Sequence, residues 1–316
     1  VKKPAVGSLV VAEIVSILGT RMTYLALPWF VLVTTGSPGK MSLVLAAEIL
    51  PMALFGIPSG TGVQKLGSRT TMLLCDFARA PLIASIPVLH ALDVLSFPLL
   101  LGIVFLLGSC MAPYFASQRT ILPELVGEDE RTMSQANSLI EGGGAFAALA
   151  GPALAGVLIP FLSAPNILYV DAATYLISFV LISLFVPRRK PVAGAPQQSG
   201  VLDGLRFVLK DGLLGPLALT IVAAGFFSSG LSAALPVYAY DEFDASSRIA
   251  GLFYTALGAG ALAVGARGGR KGIVYLVDPV AIAHGAGVEK ETKKSAEAYA
   301  RFPGSKRSTY RDGWLP

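Results

Sequence analysis

The chain has 316 residues, 53% of them hydrophobic and only 14% charged, with a formal net charge of +5 and a mean hydropathy of +0.65. A soluble surface needs about 25% charged residues, so these values exclude a soluble globular protein and point to an all-α polytopic membrane protein. The charge surplus is local: residues 1–266 carry 15 Lys/Arg and 15 Asp/Glu, whereas residues 267–316 carry 10 and 5. The basic balance therefore belongs to a polar tail and gives no nucleic-acid signature.

A helix needs roughly 20 apolar residues to cross the hydrocarbon core. In chain order that ruler predicts eight spans: Ser8–Val33, Met41–Val63, Thr71–Leu92, Ser96–Phe115, Ala136–Leu162, Asn166–Val186, Leu213–Val237 and Ile249–Ala266. Gly, Pro, Ser and Asn punctuate the connections, as in Thr35-Gly36-Ser37-Pro38 and Ser163-Ala164-Pro165-Asn166. The first span is too long for a cleavable signal peptide. Eleven Lys/Arg fall in the short connections on one side and two, Lys40 and Arg248, on the other. The positive-inside rule then places the N-terminus in the cytoplasm, in a multi-pass protein of the cell membrane.

Four regions follow. Residues 1–186 form an N-terminal six-helix half, and 187–212 a cytoplasmic linker that begins Pro187-Arg188-Arg189-Lys190 and suits a lipid surface. Residues 213–266 supply two more spans, and 267–316 form the polar tail. Six spans, a linker and further spans is the layout of a secondary transporter built from two six-helix halves. Cys75 and Cys110 lie inside apolar stretches and imply no disulfide framework. No metal-spaced His/Cys cluster, Walker loop or nucleophile elbow occurs, so no enzyme activity, cofactor or metal is expected.

Ionisable groups inside the spans are expensive and must face a cavity or a partner. They are Glu13, Arg21, Glu48, Asp76, Arg79, Glu141 and Asp171. Glu13, Glu48 and Asp171 are candidates to carry protons, with Arg21 near mid-bilayer as their partner. A guanidinium cannot shed its proton, so Arg21 is expected either to meet a carboxylate or to lie in water. Asp76 and Arg79 have the i, i+3 spacing of a self-neutralising pair. His90 sits at the outer end of span three, and Tyr24, Trp29, Phe226 and Phe227 are either cavity-lining aromatics or packing residues.

Several segments resemble the major facilitator superfamily, and specifically its efflux branch of enterobactin-exporter-like and macrolide-efflux-like proteins. The most specific follows span four: Pro113-Tyr114-Phe115-Ala116-Ser117-Gln118-Arg119-Thr120-Ile121-Leu122-Pro123-Glu124-Leu125-Val126, then Gln135-Ala136-Asn137-Ser138-Leu139. Ser16–Arg21, Val170–Tyr175 and Asp203–Leu209 are similar to the same branch, and the likeness is expected to stop at about Ala266. The resemblance implies a six-helix bundle plus the first two helices of a second half, then a short soluble tail. It implies export of small amphipathic molecules, of drug or siderophore class, driven by protons through alternating access.

The superfamily's gate signature between spans two and three has its counterpart in Gly60, Lys65, Gly67 and Arg69, followed by Asp76 and Arg79, with Gln64 where the family has Asp. A tight turn with basic anchors is the plainer account of the same residues. Gly151, Pro152 and Gly156 resemble the helix-bending element of antiporters, although small residues also serve simple packing. The partners implied are a small-molecule substrate, protons and the lipid bilayer, with no nucleic acid. The alternative is a truncated, non-transporting membrane protein or assembly partner, with residues after Ala266 foreign, frame-shifted or a regulatory tail.

Overall fold

The computed structural model describes residues 3–127, 129–188, 210, 212 and 214–268. These form eight helices: α1 (Lys3–Thr35), α2 (Pro38–Leu66), α3 (Ser68–Ala91), α4 (Phe97–Val126), α5 (Glu130–Leu162), α6 (Ala164–Phe185), α7 (Leu214–Glu242) and α8 (Ser247–Gly268). Seven of them, α1 to α7, are long and apolar enough to cross a membrane. The eighth expected span is helical but is not one of the seven. The linker at 189–209, with its amphipathic stretch, and the tail beyond 268 lie outside the described residues.

Helix ends carry the residues that close them. Ser37 caps α2 by accepting from the Lys40 N–H, and Pro38 follows at the first helical position, where no N–H is needed. Gly67 is the whole connection between α2 and α3, at φ 83°, a left-handed conformation that costs Gly little. The expected loop with the gate signature is therefore corrected: Gly60 and Lys65 lie on the last turns of α2, and Arg69 lies on the first turn of α3. Similarly, the segment expected to follow span four is itself helical to Val126. Gly127 ends α4, and Asp129 opens α5 by accepting from the Thr132 N–H and hydroxyl at 3.1 and 2.6 Å. Polar side chains with helical spacing continue those helices past their apolar centres, which a ruler based on apolarity cannot detect.

The packing has an internal symmetry. α1 lies against α5 and α6, α4 lies against α2 and α3, and α3 also packs on α6. Exchanging α1, α2, α3 with α4, α5, α6 leaves that set of neighbours unchanged, and α1 and α4 run in opposite directions. This is the signature of two inverted three-helix repeats. α1 is the most enclosed helix.

Buried apolar side chains fall into two clusters. One gathers Leu25, Trp29, Phe30, Ile83, Ile86, Val104, Ile167 and Leu168; the other gathers Leu9, Met72, Ile121, Leu122 and Ile182, near the basic helix ends. Between them lies a layer of buried polar side chains. Outward faces are apolar, as Leu74, Phe77, Leu176, Ile177, Val180 and Leu184 show, which suits contact with lipid.

Candidate functional site

The polar layer is built by four helices. Glu13 on α1 is fully buried and accepts hydrogen bonds from Gln118 Nε2 at 2.7 Å and Tyr114 Oη at 3.2 Å, both on α4. Eight to eleven residues into α3, Asp76 and Arg79 form an ion pair across one helical turn. Ser178 on α6 donates to the other Asp76 oxygen at 2.7 Å. The Arg79 guanidinium lies 4.2 Å from the centres of two aromatic rings, Tyr114 and Tyr175. A desolvated guanidinium gains about 2 kcal/mol from such a ring face, so this clamp compensates part of the cost of burying the charge.

Towards the other apolar cluster, Asp171 on α6 is 1% exposed and accepts from Thr23 Oγ1 at 2.6 Å and Thr174 Oγ1 at 3.2 Å. Tyr175 shares a 3.0 Å hydrogen bond with Thr20. Glu48 on α2 is half-buried and shares a small cavity with Asp171, Arg79, Tyr175, Thr20 and Thr23, walled by Leu27, Ile83, Val104, Leu107 and Met111. Small residues permit this close assembly. A Cβ on Gly19 would lie 2.6 Å from Asp171 Oδ1, so α1 approaches α6 with only hydrogen between them. Gly108 similarly admits the Glu48 backbone carbonyl against α4.

The structure thus brings Glu48 and Asp171 together, as well as Asp76 and Arg79, and holds Glu13 nearby on the other side of the Tyr114–Arg79–Tyr175 stack. For Arg21, expected to meet a carboxylate or to lie in water, the described residues supply no carboxylate contact. It is half-buried, with its guanidinium 5.4 Å from the Tyr24 ring centre, and makes no ion pair among the described residues. The cation matched to a carboxylate is Arg79, because it sits one turn from Asp76 with two tyrosines closing over it. Asp76 and Arg79, expected to follow the gate signature, form their pair within this buried polar layer.

At the basic end, Arg69 donates to the carbonyls of Val186 and Ser183 at 2.6 and 2.7 Å and so closes the C-terminal end of α6. Gly60 faces open space and Lys65 is exposed. The expected bend element makes two close approaches. Gly151 packs on the Arg21 and Met22 backbone of α1, and Gly156 meets Ser247 and Gly251 of α8. Ser247 Oγ donates to the Gly156 carbonyl at 3.2 Å. Pro152 is buried between them. His90 stacks edge-on against Phe30. Trp29 is buried, edge-on to Tyr240, whereas Phe226 and Phe227 are 76% and 74% exposed on α7.

The sequence reading missed the uncharged partners: Thr20, Thr23, Tyr114, Gln118, Tyr175 and Ser178. A signal existed for two of them. A tyrosine in the middle of an apolar span needs a partner for its hydroxyl, and Tyr114 and Tyr175 both lie in family-like segments.

Inverted three-helix repeats of membrane-length apolar helices around a buried polar layer are the architecture of a polytopic membrane protein. The family profile described as Major Facilitator Superfamily matches residues 9–284, and the chain belongs to that superfamily. The match runs past Ala266, where the likeness was expected to stop. The chain is 31% identical over 240 residues to the multidrug efflux pump Tap of Mycolicibacterium fortuitum, covering 71% of this chain and 57% of that protein. To the Tap pump of Mycobacterium tuberculosis H37Rv it is 26% identical over 230 residues, covering 67% and 53%. To the staphyloferrin A transporter of Staphylococcus aureus it is 24% identical over 247 residues, covering 75% and 60%. The chain spans about half the length of the curated relatives it matches.

Proposed function

We propose that the protein serves secondary-active export of small amphipathic molecules, of drug or siderophore class, coupled to an inward flow of protons by alternating access. One observation carries the reading: Glu13, Asp76 and Asp171 are each at most 1% exposed, and of these three only Asp76 is held in an ion pair, with Arg79. An ionised carboxylate without a counter-charge is strongly disfavoured in such surroundings, and the group takes a proton instead. Glu13 and Asp171, with Glu48 beside the latter, are therefore the groups that hold and release protons in this scheme. The names of the relatives, multidrug efflux pumps and a siderophore transporter, support the substrate class. The excess of Lys and Arg in the connections at the ends of α2, α4 and α6 supports a cytoplasmic N-terminus in the cell membrane.

The test is uptake of cationic dyes, drugs and ferric-siderophore analogues by proteoliposomes holding the purified chain under an imposed pH gradient. Gradient-dependent accumulation that a protonophore abolishes is expected, and Glu13→Gln or Asp171→Asn should remove it. Accumulation that persists without the gradient overturns the coupling. The second reading is a membrane protein that does not transport alone and acts as an assembly partner. No accumulation with any substrate, by protein that retains its helical content, decides for it.

A further inference from the structure

Arg79 occupies a position that its pairing with Asp76 does not exhaust. Its side chain is buried between the two acidic regions of the polar layer, and its Nε is buried without a hydrogen-bond partner among the described residues. One ring that clamps it, Tyr114, donates to Glu13. The other, Tyr175, lies on α6 one turn beyond Asp171 and lines the same cavity as Asp171 and Glu48. Arg79 itself lines that cavity. A guanidinium has five N–H donors in a rigid fork. Here the Asp76 contact engages Nη2 alone, the Nε–H on the same edge of the fork is uncommitted, and the side chain also lines the cavity that holds two further carboxylates.

We propose that Arg79 is a positioning residue whose single positive charge is shared between two acidic sites, Glu13 with Asp76 on one side and Glu48 with Asp171 on the other. Protonation at one site thereby governs protonation at the other. The proposal rests on the proton-coupled reading above and names the element that connects its two proton sites. When Glu48 or Asp171 ionises, the guanidinium of Arg79 shifts towards the cavity it lines, its hold on Asp76 loosens, and the Glu13–Asp76 side takes up a proton. When the cavity carboxylates are protonated, the guanidinium settles on Asp76, as observed. The two tyrosine faces act as a slot that allows the planar group to slide in its own plane while staying desolvated.

The groups that bear on Arg79 come from every helix packed around it. They are Glu13 and Tyr24 of α1, Glu48 of α2, Cys75 and Asp76 of α3 itself, Tyr114 and Cys110 of α4, and Asp171 and Tyr175 of α6. Arg79 touches both sides through its clamp: Tyr114 donates to Glu13, and Tyr175 and Arg79 line the cavity with Asp171. Glu13 and the Thr23 partner of Asp171 are ten residues apart on α1, about 15 Å at 1.5 Å per residue. At that separation the direct interaction of the two carboxylates is weak, about 1 kcal/mol at an effective dielectric of 20. A strong dependence between them thus requires an intermediary.

The test is an infrared titration of the protonated-carboxyl stretch on the purified full chain in nanodiscs, with bands assigned by Glu13→Gln and Asp171→Asn. Asp171→Asn is expected to shift the titration midpoint of the Glu13 band by more than one pH unit, a greater than tenfold change in proton affinity. In an Arg79→Gln/Asp76→Asn background, which removes the ion pair without stranding either charge, the same Asp171→Asn change should shift it by no more than the roughly 0.7 pH unit that the direct interaction supplies. Arg79→Lys should give an intermediate shift, because the charge remains and the fork is lost. Equal Glu13 shifts in both backgrounds, or no shift in the otherwise unaltered chain, overturn the proposal. If instead transport proves independent of protons while the infrared dependence on Arg79 persists, the proton-coupled reading fails and the charge-sharing stands.

Discussion

The substitution Asp76→Asn isolates what the buried ion pair does for the fold. Asn has nearly the volume of Asp and can still accept from Ser178, so packing is conserved while the charge facing Arg79 disappears. Removing one partner of a buried pair costs about 3–5 kcal/mol, because the other charge is left uncompensated. Two terms reduce that figure here. Arg79 keeps its two tyrosine faces, and a membrane protein's unfolded helices also find polar partners in the bilayer. The expected loss is therefore about 2–3 kcal/mol, roughly a thirtyfold to hundredfold rise in the unfolded fraction. Arg79→Gln/Asp76→Asn should recover most of it, to within about 1 kcal/mol of the unaltered protein, since neither charge is stranded. Unfolding by detergent in mixed micelles, followed by tryptophan fluorescence from the buried Trp29, measures both. A loss below about 0.5 kcal/mol for Asp76→Asn, or a double variant as unstable as the single one, would refute the reasoning.

Gly19→Ala places a methyl 2.6 Å from Asp171 Oδ1 and 2.9 Å from Thr174 Cγ2; prising α1 from α6 should cost about 1–3 kcal/mol and break the Thr23–Asp171 bond, readable in the infrared band of Asp171. Gly156→Ala meets the Ser247 carbonyl at 2.7 Å and the Gly251 Cα at 3.0 Å, so it should lower the melting temperature, with Gly251→Ala doing the same and the double variant adding little beyond either. Asp129 lies outside the spans, and the Thr132 hydroxyl and N–H that it accepts hold its carboxyl below the usual range. A depressed pKa contributes stability that is fully present above the unfolded value, about 3.9, and lost as pH falls through the folded one. Amide exchange in the first turn of α5 should therefore accelerate only below about pH 4, and Asp129→Ala should make it fast at all pH values; unchanged protection in Asp129→Ala would remove the cap from the account.

How much of this was legible without coordinates depends on the kind of signal. The spans were readable because lipid imposes a run of about twenty apolar residues on every crossing, and soluble folds seldom hold so many such runs in succession. The helix ends were less readable, since α2, α4 and α5 continue on polar residues such as Lys65, Arg119 and Arg131 where no apolar run marks them. The family could be recognised from short segments such as Ile121-Leu122-Pro123-Glu124-Leu125-Val126, although their helical state could not.

The sequence by itself determined which groups are costly: seven ionisable side chains inside apolar runs, each in need of a partner. Only the tertiary structure decided the partners, because they come from helices distant along the chain. Glu13 meets Tyr114 and Gln118 more than one hundred positions away, and Thr23 meets Asp171 across 148. Depth along a helix can be counted from sequence, which is why Arg21 stood out. The direction a side chain takes around the bundle depends on which neighbours pack against it, and that packing gave the central cation's place to Arg79. Two tyrosines, inconspicuous as letters in apolar stretches, became the walls that allow a charge to be buried there.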